Sequence, residues 1–185
     1  MHVGTWDQSI VDESILEFGS FEKDSEADQN GIYWMKVNSQ YHWQVQLLSA
    51  KADDTEMRIS ANNIFFDTGA SLNYIPPLEH ESFMNELKKR KTCDFDMAKD
   101  IHICDCESIE DTDFPVLKMN IGSEDKNRWF EYHSRFYAKF ISGRCQILIK
   151  IEHSDYFSDM WLMGAAFLRE YYSIHDVYNQ KLALI

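Results

Sequence analysis

Apolar and polar positions alternate with a period of two along much of this chain. Val45 and Leu47, preceded by Trp43, lie on one side of a predicted strand whose other side carries glutamines. The same alternation indicates strands at 101–106, 117–121, 147–151 and 181–185. Many short strands separated by polar turns predict an all-β domain.

A helix is predicted over residues 78–91. Phe83, Met84 and Leu87 form a narrow apolar stripe, acidic residues lie in the first turn, and basic residues lie in the last. We interpret the basic residues as a solvated helix end that matches the helix dipole rather than as an anion-binding site. The helix is expected to cover one end of the sheet.

Length and charge narrow the class of protein. A chain of 185 residues with 44% hydrophobic residues is predicted to form one ordered domain with a sizeable core. A net charge of -13 argues against binding to nucleic acid, and no apolar run is long enough to span a membrane. Residues 1–7 have neither a basic nor an apolar region, so they are not predicted to be a signal peptide. The alternatives are a longer exported precursor or a chain that is not exported by that route.

The segment 64–77 combines buried-strand and charge signals. Ile64, Phe65 and Phe66 run directly into Asp67, and a turn of small residues and a second apolar patch with two prolines follow. A carboxylate at the end of a buried strand is costly unless it is hydrogen-bonded or paired. Gly69 is expected to supply the backbone freedom for a sharp turn. One interpretation is an ordinary turn in which Asp67 bonds its own backbone.

The flanking residues support a second interpretation, because the stretch 64–77 resembles the second active-site loop of the pepsin-like aspartic proteases. The family has an apolar run, Asp-Thr-Gly, a small residue, Ser-Leu and an apolar-Pro pair. The segment 161–176 resembles a later family segment with matching spacing from Gly164 to Tyr172 and Asp176. Leu16-Glu17-Phe18-Gly19-Ser20 resembles the strand that opens the C-terminal lobe.

The resemblance implies the C-terminal lobe of a two-lobed enzyme. The expected fold is an all-β, pepsin-like lobe, with a six-stranded psi-loop sheet, further antiparallel strands and a few short helices. Residues 1–15 would be an N-terminal segment or inter-lobe linker, and residues 16–185 would be the lobe.

The resemblance also implies the chemistry. Asp67 would be one of two carboxylates that share a proton and activate water for peptide-bond hydrolysis. Thr68 would contact the other lobe, the Gly69 backbone would approach the substrate, and Ser71 would bond within the loop. Ala70 replaces a Thr or Ser that bonds the catalytic carboxylate in the family, which predicts activity shifted toward neutral pH. No cofactor or metal is implied.

The chain contains no second Asp-Thr-Gly and no Asp-Ser-Gly. The expected partners are therefore an N-terminal protease lobe that supplies the second carboxylate, and a peptide or protein substrate. A homodimer is a minor alternative. A further alternative is a catalytically inert lobe that acts as a binding or assembly subunit.

Four cysteines allow three pairings. A metal site formed by His102, Cys104 and Cys106, with or without Cys93, is the competing interpretation, although the spacing is poor for zinc. The family resemblance favours Cys106–Cys145 and, as an additional bond, Cys93–Cys104, with the swapped pairing as an alternative. Disulfides would place maturation in an oxidising compartment: the secretory pathway, a lysosome or vacuole, or the extracellular space.

Three further positions depart from the family pattern. Ala165 replaces an Asp, His175 replaces the Phe before Asp176, and Ala183 replaces a late Gly. Together they indicate a divergent member.

Overall fold

A computed structural model describes residues 32–108 and 113–185. The pentad 16–20 and the 1–15 segment lie outside these residues. Within the described ranges the chain forms fifteen strands, three α-helices and one 3-10 helix. These are β1 (Trp34–Lys36), β2 (Gln44–Ala52), β3 (Thr55–Glu56), β4 (Asn63–Phe66), β5 (Asn73–Ile75), α1 (Pro77–Lys88), β6 (Cys93–Asp96), β7 (Ile101–Asp105), β8 (Leu117–Gly122), β9 (Asn127–Tyr132), α2 (Ser134–Tyr137), β10 (Ala138–Ile141), β11 (Arg144–Ile147), β12 (Ile149–Ile151), the 3-10 helix (Asp155–Phe157), β13 (Met160–Met163), α3 (Ala165–Leu168), β14 (Ser173–Asp176) and β15 (Lys181–Leu184).

The largest sheet contains a psi-loop. Its strand order is β12-β5-β13-β4-β2-β8-β9, and β3 pairs with β2. The consecutive strands β4 and β5 are separated by β13, which is parallel to β4 and antiparallel to β5. The predicted all-β fold with a psi-loop sheet is confirmed.

The large sheet has eight strands, whereas six were expected. The difference arises because the nine-residue β2 belongs to two groups of strands. Its first residues, Gln44–Gln46, pair with β4, and Leu47–Ala52 pair with β8 across a register shift. A single long strand therefore joins the psi-loop strands to an antiparallel group.

Two smaller sheets have the orders β10-β11-β7-β6 and β1-β15-β14. The prediction of one strand over 147–151 is wrong. Ile147 ends β11, which pairs with β7 and β10, whereas Ile149 begins β12, which runs parallel to β5. The change of partner is at Leu148, whose N–H donates to the carbonyl of Tyr137 at 2.6 Å, in register with the β10–β11 pairing, while its carbonyl accepts from the Asn73 N–H of β5 at 3.0 Å.

The core forms where the period-two pattern predicted it. Val45, Leu47 and the three apolar residues of β8 are each at most 2% exposed. In β4 and β13, Ile64, Phe66 and Trp161 belong to this core as well. The 117–121 and 181–185 strand predictions are confirmed by β8 and β15.

Helix α1 is confirmed, with its last residue at Lys88 rather than Lys91. Phe83, Met84 and Leu87 are buried, as the apolar stripe predicted. The basic residues at its end pair with acidic side chains: Lys89 with Glu86, Arg90 with Asp53 and Lys91 with Asp113. None of the described helices is long and apolar enough to cross a membrane.

The cysteines form the disulfides Cys93–Cys104 and Cys106–Cys145. This is the pairing that the family resemblance favoured. The first bond joins directly opposite residues of β6 and β7, and the second ties the end of β7 to β11. The alternative metal site is wrong, because its thiolates are used in these bonds.

Candidate active site

Asp67 lies immediately after β4 and is half-buried. Its backbone N–H donates to the carbonyl of Met163 at 3.0 Å, so the end of β13 fixes the residue in place. Its Oδ1 accepts from the Gly69 N–H at 2.8 Å, and its carbonyl accepts from the Ala70 N–H at 3.3 Å. The turn interpretation is therefore correct as geometry. Within the described residues no group donates to Oδ2, so one carboxylate oxygen remains available to a water or a partner.

The reason for a glycine at position 69 differs from the one expected. Gly69 does not have a positive φ, unlike Gly122 and Gly143. A Cβ at this position would lie 3.1 Å from Oδ1 of Asp67. Proximity to the carboxylate, rather than a left-handed backbone, favours glycine here.

The loop that follows Asp67 packs directly against the end of β13. The Ala165 N–H donates to the carbonyl of Ala70 at 2.7 Å. A Cβ on Gly164 would lie 2.3 Å from the carbonyl oxygen of Leu72 and 2.5 Å from that of Ala70. Only a residue without a side chain allows this approach, since both obstructing atoms belong to the backbone.

A buried polar pair, Asn73 and Tyr132, lies next to the contact between the Asp67 loop and Gly164. Asn73 and Tyr132 are both fully buried. Nδ2 of Asn73 donates to the Tyr132 hydroxyl at 2.7 Å, and Oδ1 accepts from the Gly164 N–H at 2.9 Å. Burial raises the pKa of the Tyr132 phenol far above its usual range, so the hydroxyl stays neutral.

An aromatic cluster forms around Phe65, near the end of β4. Phe65 is two residues before Asp67, on the same side of the strand, because side chains alternate along β4. The Phe65 ring stacks on Phe157 at 5.7 Å and meets His42 at 5.0 Å. Tyr156, which is 67% exposed, contacts Phe157 edge-on. We refer to His42, Phe65, Tyr156 and Phe157 as the aromatic cluster.

The other predicted site residues lie in the same turn. Thr68, Gly69 and Ser71 are exposed, and Ala70 is half-buried. Their expected contacts with a second lobe and a substrate remain predictions. Two of the divergent positions are structural: His175 packs edge-on against Trp43 at 4.7 Å, and Ala183 is fully buried in β15.

Sequence reasoning missed Asn73, Tyr132 and the aromatic cluster. A signal existed for Asn73, since it is the polar residue in an otherwise apolar stretch from Leu72 to Ile75. Nothing in the sequence pairs Asn73 with Tyr132, which is 59 residues away.

The psi-loop sheet and the Asp-Thr-Gly turn at the end of its interior strand β4 define the class of protein as an aspartic-protease-like lobe. A sequence model described as eukaryotic aspartyl protease matches residues 8–184, so the chain belongs to that family.

Individual relatives match at low identity. The vacuolar aspartic protease of Candida albicans is 23% identical over 99% of this chain and 41% of its own length. Pregnancy-associated glycoprotein 2 of Bos taurus is 21% identical over 92% of this chain and 42% of its own. Gastricsin of Oryctolagus cuniculus is 24% identical over 86% of this chain and 39% of its own length. The chain thus spans about two fifths of the length of these relatives.

Proposed function

We propose that this chain is the C-terminal half of an aspartic endopeptidase and that Asp67 is one of its two catalytic carboxylates. The observation that carries the proposal is the placement of Asp67 at the end of a buried psi-loop strand, with its backbone fixed by Met163. The second carboxylate would come from an N-terminal lobe outside this chain.

In the proposed reaction the two carboxylates share one proton, because like charges in contact do not both ionise. The ionised carboxylate takes a proton from water as the water oxygen attacks the carbonyl carbon of the scissile peptide. The protonated carboxyl gives its proton to the carbonyl oxygen. The carboxyl that took the proton from water then gives it to the nitrogen as the C–N bond breaks, and the other carboxylate takes back a proton from a hydroxyl of the intermediate as the carbonyl reforms.

The aromatic cluster suggests which substrates the site would accept. A peptide that extends from Asp67 over this cluster would meet the exposed Tyr156 and the half-buried Phe157, since Phe65 itself is only 6% exposed. Since these rings favour contact with apolar side chains, cleavage next to large apolar residues is expected. The two disulfides further support maturation in an oxidising compartment.

The test uses this chain assembled with its N-terminal lobe, as the full-length protein or as a complex purified from the native source. Cleavage of a denatured protein is measured from acid to neutral pH, and the cut sites are identified by mass spectrometry. Asp67→Asn is expected to lower turnover by about a hundredfold or more. Asp125→Asn, at an exposed aspartate in the turn before β9, is the matched control and should leave turnover unchanged.

Turnover that survives Asp67→Asn would exclude Asp67 as a catalyst. Absence of turnover at every pH, together with a stable stoichiometric partner, would instead support the inert binding or assembly lobe. Cut sites without large apolar neighbours would exclude the proposed role of the aromatic cluster.

A further inference from the structure

Asn73 is a buried polar residue in the interior of the psi-loop sheet. Its side chain is fully buried, and it lies six positions after Asp67 in the strand that completes the psi-loop. The backbone N–H of Gly164 points at it from the end of β13 and is 2.9 Å from Oδ1. This N–H is buried and needs an acceptor, because an unpaired donor in the interior is costly.

The chemistry of the two neighbours determines how the amide is oriented. Since the Gly164 N–H can only donate, the oxygen of Asn73 must face it. Nδ2 must then face the Tyr132 hydroxyl, which lies 2.7 Å away and can accept. Tyr132 is itself held between Tyr137 and Phe167, with ring centroids at 5.5 and 5.1 Å. Asn73 therefore links a rigid part of the core to the Gly164 turn.

We propose that Asn73 is a positioning residue for Asp67, an inference that rests on the function proposed above. Gly164 lies between Met163, whose carbonyl receives the Asp67 N–H, and Ala165, whose N–H binds the Ala70 carbonyl. A hydrogen bond that fixes the Gly164 amide therefore also restrains the two neighbouring hydrogen bonds that position the Asp67 loop. The hydrogen bonds described for the Asn73 side chain go to Gly164 and Tyr132 and not to the carboxylate, so the proposed role is to orient Asp67 rather than to bind substrate.

Two variants separate positioning from simple stabilisation. Asn73→Leu keeps a side chain of similar size and removes the acceptor for the Gly164 N–H. Tyr132→Phe removes the other hydrogen bond of the same Asn73 side chain and leaves the Gly164 contact in place. Asn73→Leu leaves two buried groups unpaired, the Gly164 N–H and the Tyr132 hydroxyl, whereas Tyr132→Phe leaves only Nδ2 of Asn73 unpaired. Asn73→Leu is therefore expected to lower stability more, and kcat is compared after the loss of stability has been measured for each variant.

The experiment again uses the chain assembled with its N-terminal lobe, and it has two measurements. Amide hydrogen exchange of the Gly164 segment needs no activity; it is expected to accelerate about tenfold or more in Asn73→Leu and little in Tyr132→Phe. In peptide cleavage, Asn73→Leu should lower kcat by about tenfold to a hundredfold with KM within about twofold. Tyr132→Phe should keep kcat within about threefold of wild type.

An unchanged exchange rate of the Gly164 amide in Asn73→Leu would overturn the proposal. A fall in kcat that is proportional to the loss of stability in both variants would also overturn it. If wild-type protein shows no turnover at all, the function proposed above fails on its own. Hydrogen exchange still tests whether Asn73 holds the Gly164 amide in that case. Faster exchange only in Asn73→Leu supports this role, and equally faster exchange in both variants overturns it.

Discussion

Gly164 shows how a single residue type is dictated by the approach of two backbone segments. Its φ is not positive, so any residue could adopt its conformation. The constraint is space, because the carbonyl oxygens of Ala70 and Leu72 occupy the volume that a Cβ would take. Gly143, in the turn between β10 and β11, is the opposite case: its φ is +82° and nothing lies within 4 Å of the position that a Cβ would take.

This contrast gives a prediction at the residue scale. Gly164→Ala is expected to destabilise the protein by more than about 4 kcal/mol, because backbone atoms on both sides must shift. Gly143→Ala should cost about 1 kcal/mol, the ordinary penalty for a side chain in left-handed backbone. Urea denaturation followed by tryptophan fluorescence measures both. Equal losses would contradict the close packing of the Asp67 loop on β13.

At the scale of elements, helix α1 is docked through a pair of buried histidines. His80 is 4% exposed and His102, on β7, is 9% exposed, and their rings are 5.2 Å apart. The His80 ring also bonds the backbone of Ile149. Lys88 lies on the same helix, and Asp100 before β7 is the nearby acid. Burial lowers the pKa of His80 to about 4, and burial also lowers the pKa of His102.

The pair predicts a stability that decreases in acid. The pKa of His80 is about 4 in the folded protein, against 6.5 when exposed, so the unfolded chain binds the proton more readily. The stability gained from neutral His80 is fully present above pH 6.5 and is lost as the pH falls toward 4. The expected loss for His80 is about 2–3 kcal/mol in the free energy of unfolding. Urea midpoints measured across this range should fall in wild type and fall less in His80→Phe.

The exposed His153 provides the control for this prediction. His153→Gln should leave the pH dependence as steep as in wild type. A wild-type midpoint that is constant between pH 6.5 and pH 4 would contradict the docking of α1 by neutral histidines.

At the scale of the whole molecule, the two disulfides constrain very different lengths of chain. Cys106–Cys145 closes a separation of 39 residues and joins the end of β7 to β11. Cys93–Cys104 closes a separation of 11 residues within one hairpin. A longer closed loop restricts the unfolded chain more strongly.

We therefore expect the longer bond to contribute more to stability. Chain-entropy estimates are about 4 kcal/mol for Cys106–Cys145 and about 3 kcal/mol for Cys93–Cys104. The double variants Cys106→Ser with Cys145→Ser and Cys93→Ser with Cys104→Ser, compared by urea denaturation, should differ by about 1 kcal/mol in that order. The reverse order would show that native packing around β6 and β7, rather than loop length, sets the contribution.

The fold was largely predictable from local pattern. Alternating residues such as Leu117, Met119 and Ile121 predicted a strand with one buried side, and β8 has that form. The prediction of one strand at 147–151 was wrong, because alternation continues across Leu148 although the backbone changes sheets there. Periodicity reports which side of a strand is buried and contains no information about its partner.

The sequence by itself determined the all-β class, the strand that ends at Asp67 and, through a family resemblance, the cysteine pairing. These are properties of neighbouring residues or of motifs with fixed spacing. Only the tertiary structure decided that β13 lies between β4 and β5, that Asn73 bonds Tyr132 and Gly164, and that aromatic rings gather around Phe65. Those contacts join distant parts of the chain, so they depend on which elements pack together, and local pattern does not specify that. Once buried, a polar group such as the Asn73 amide is stable only with partners from inside the protein.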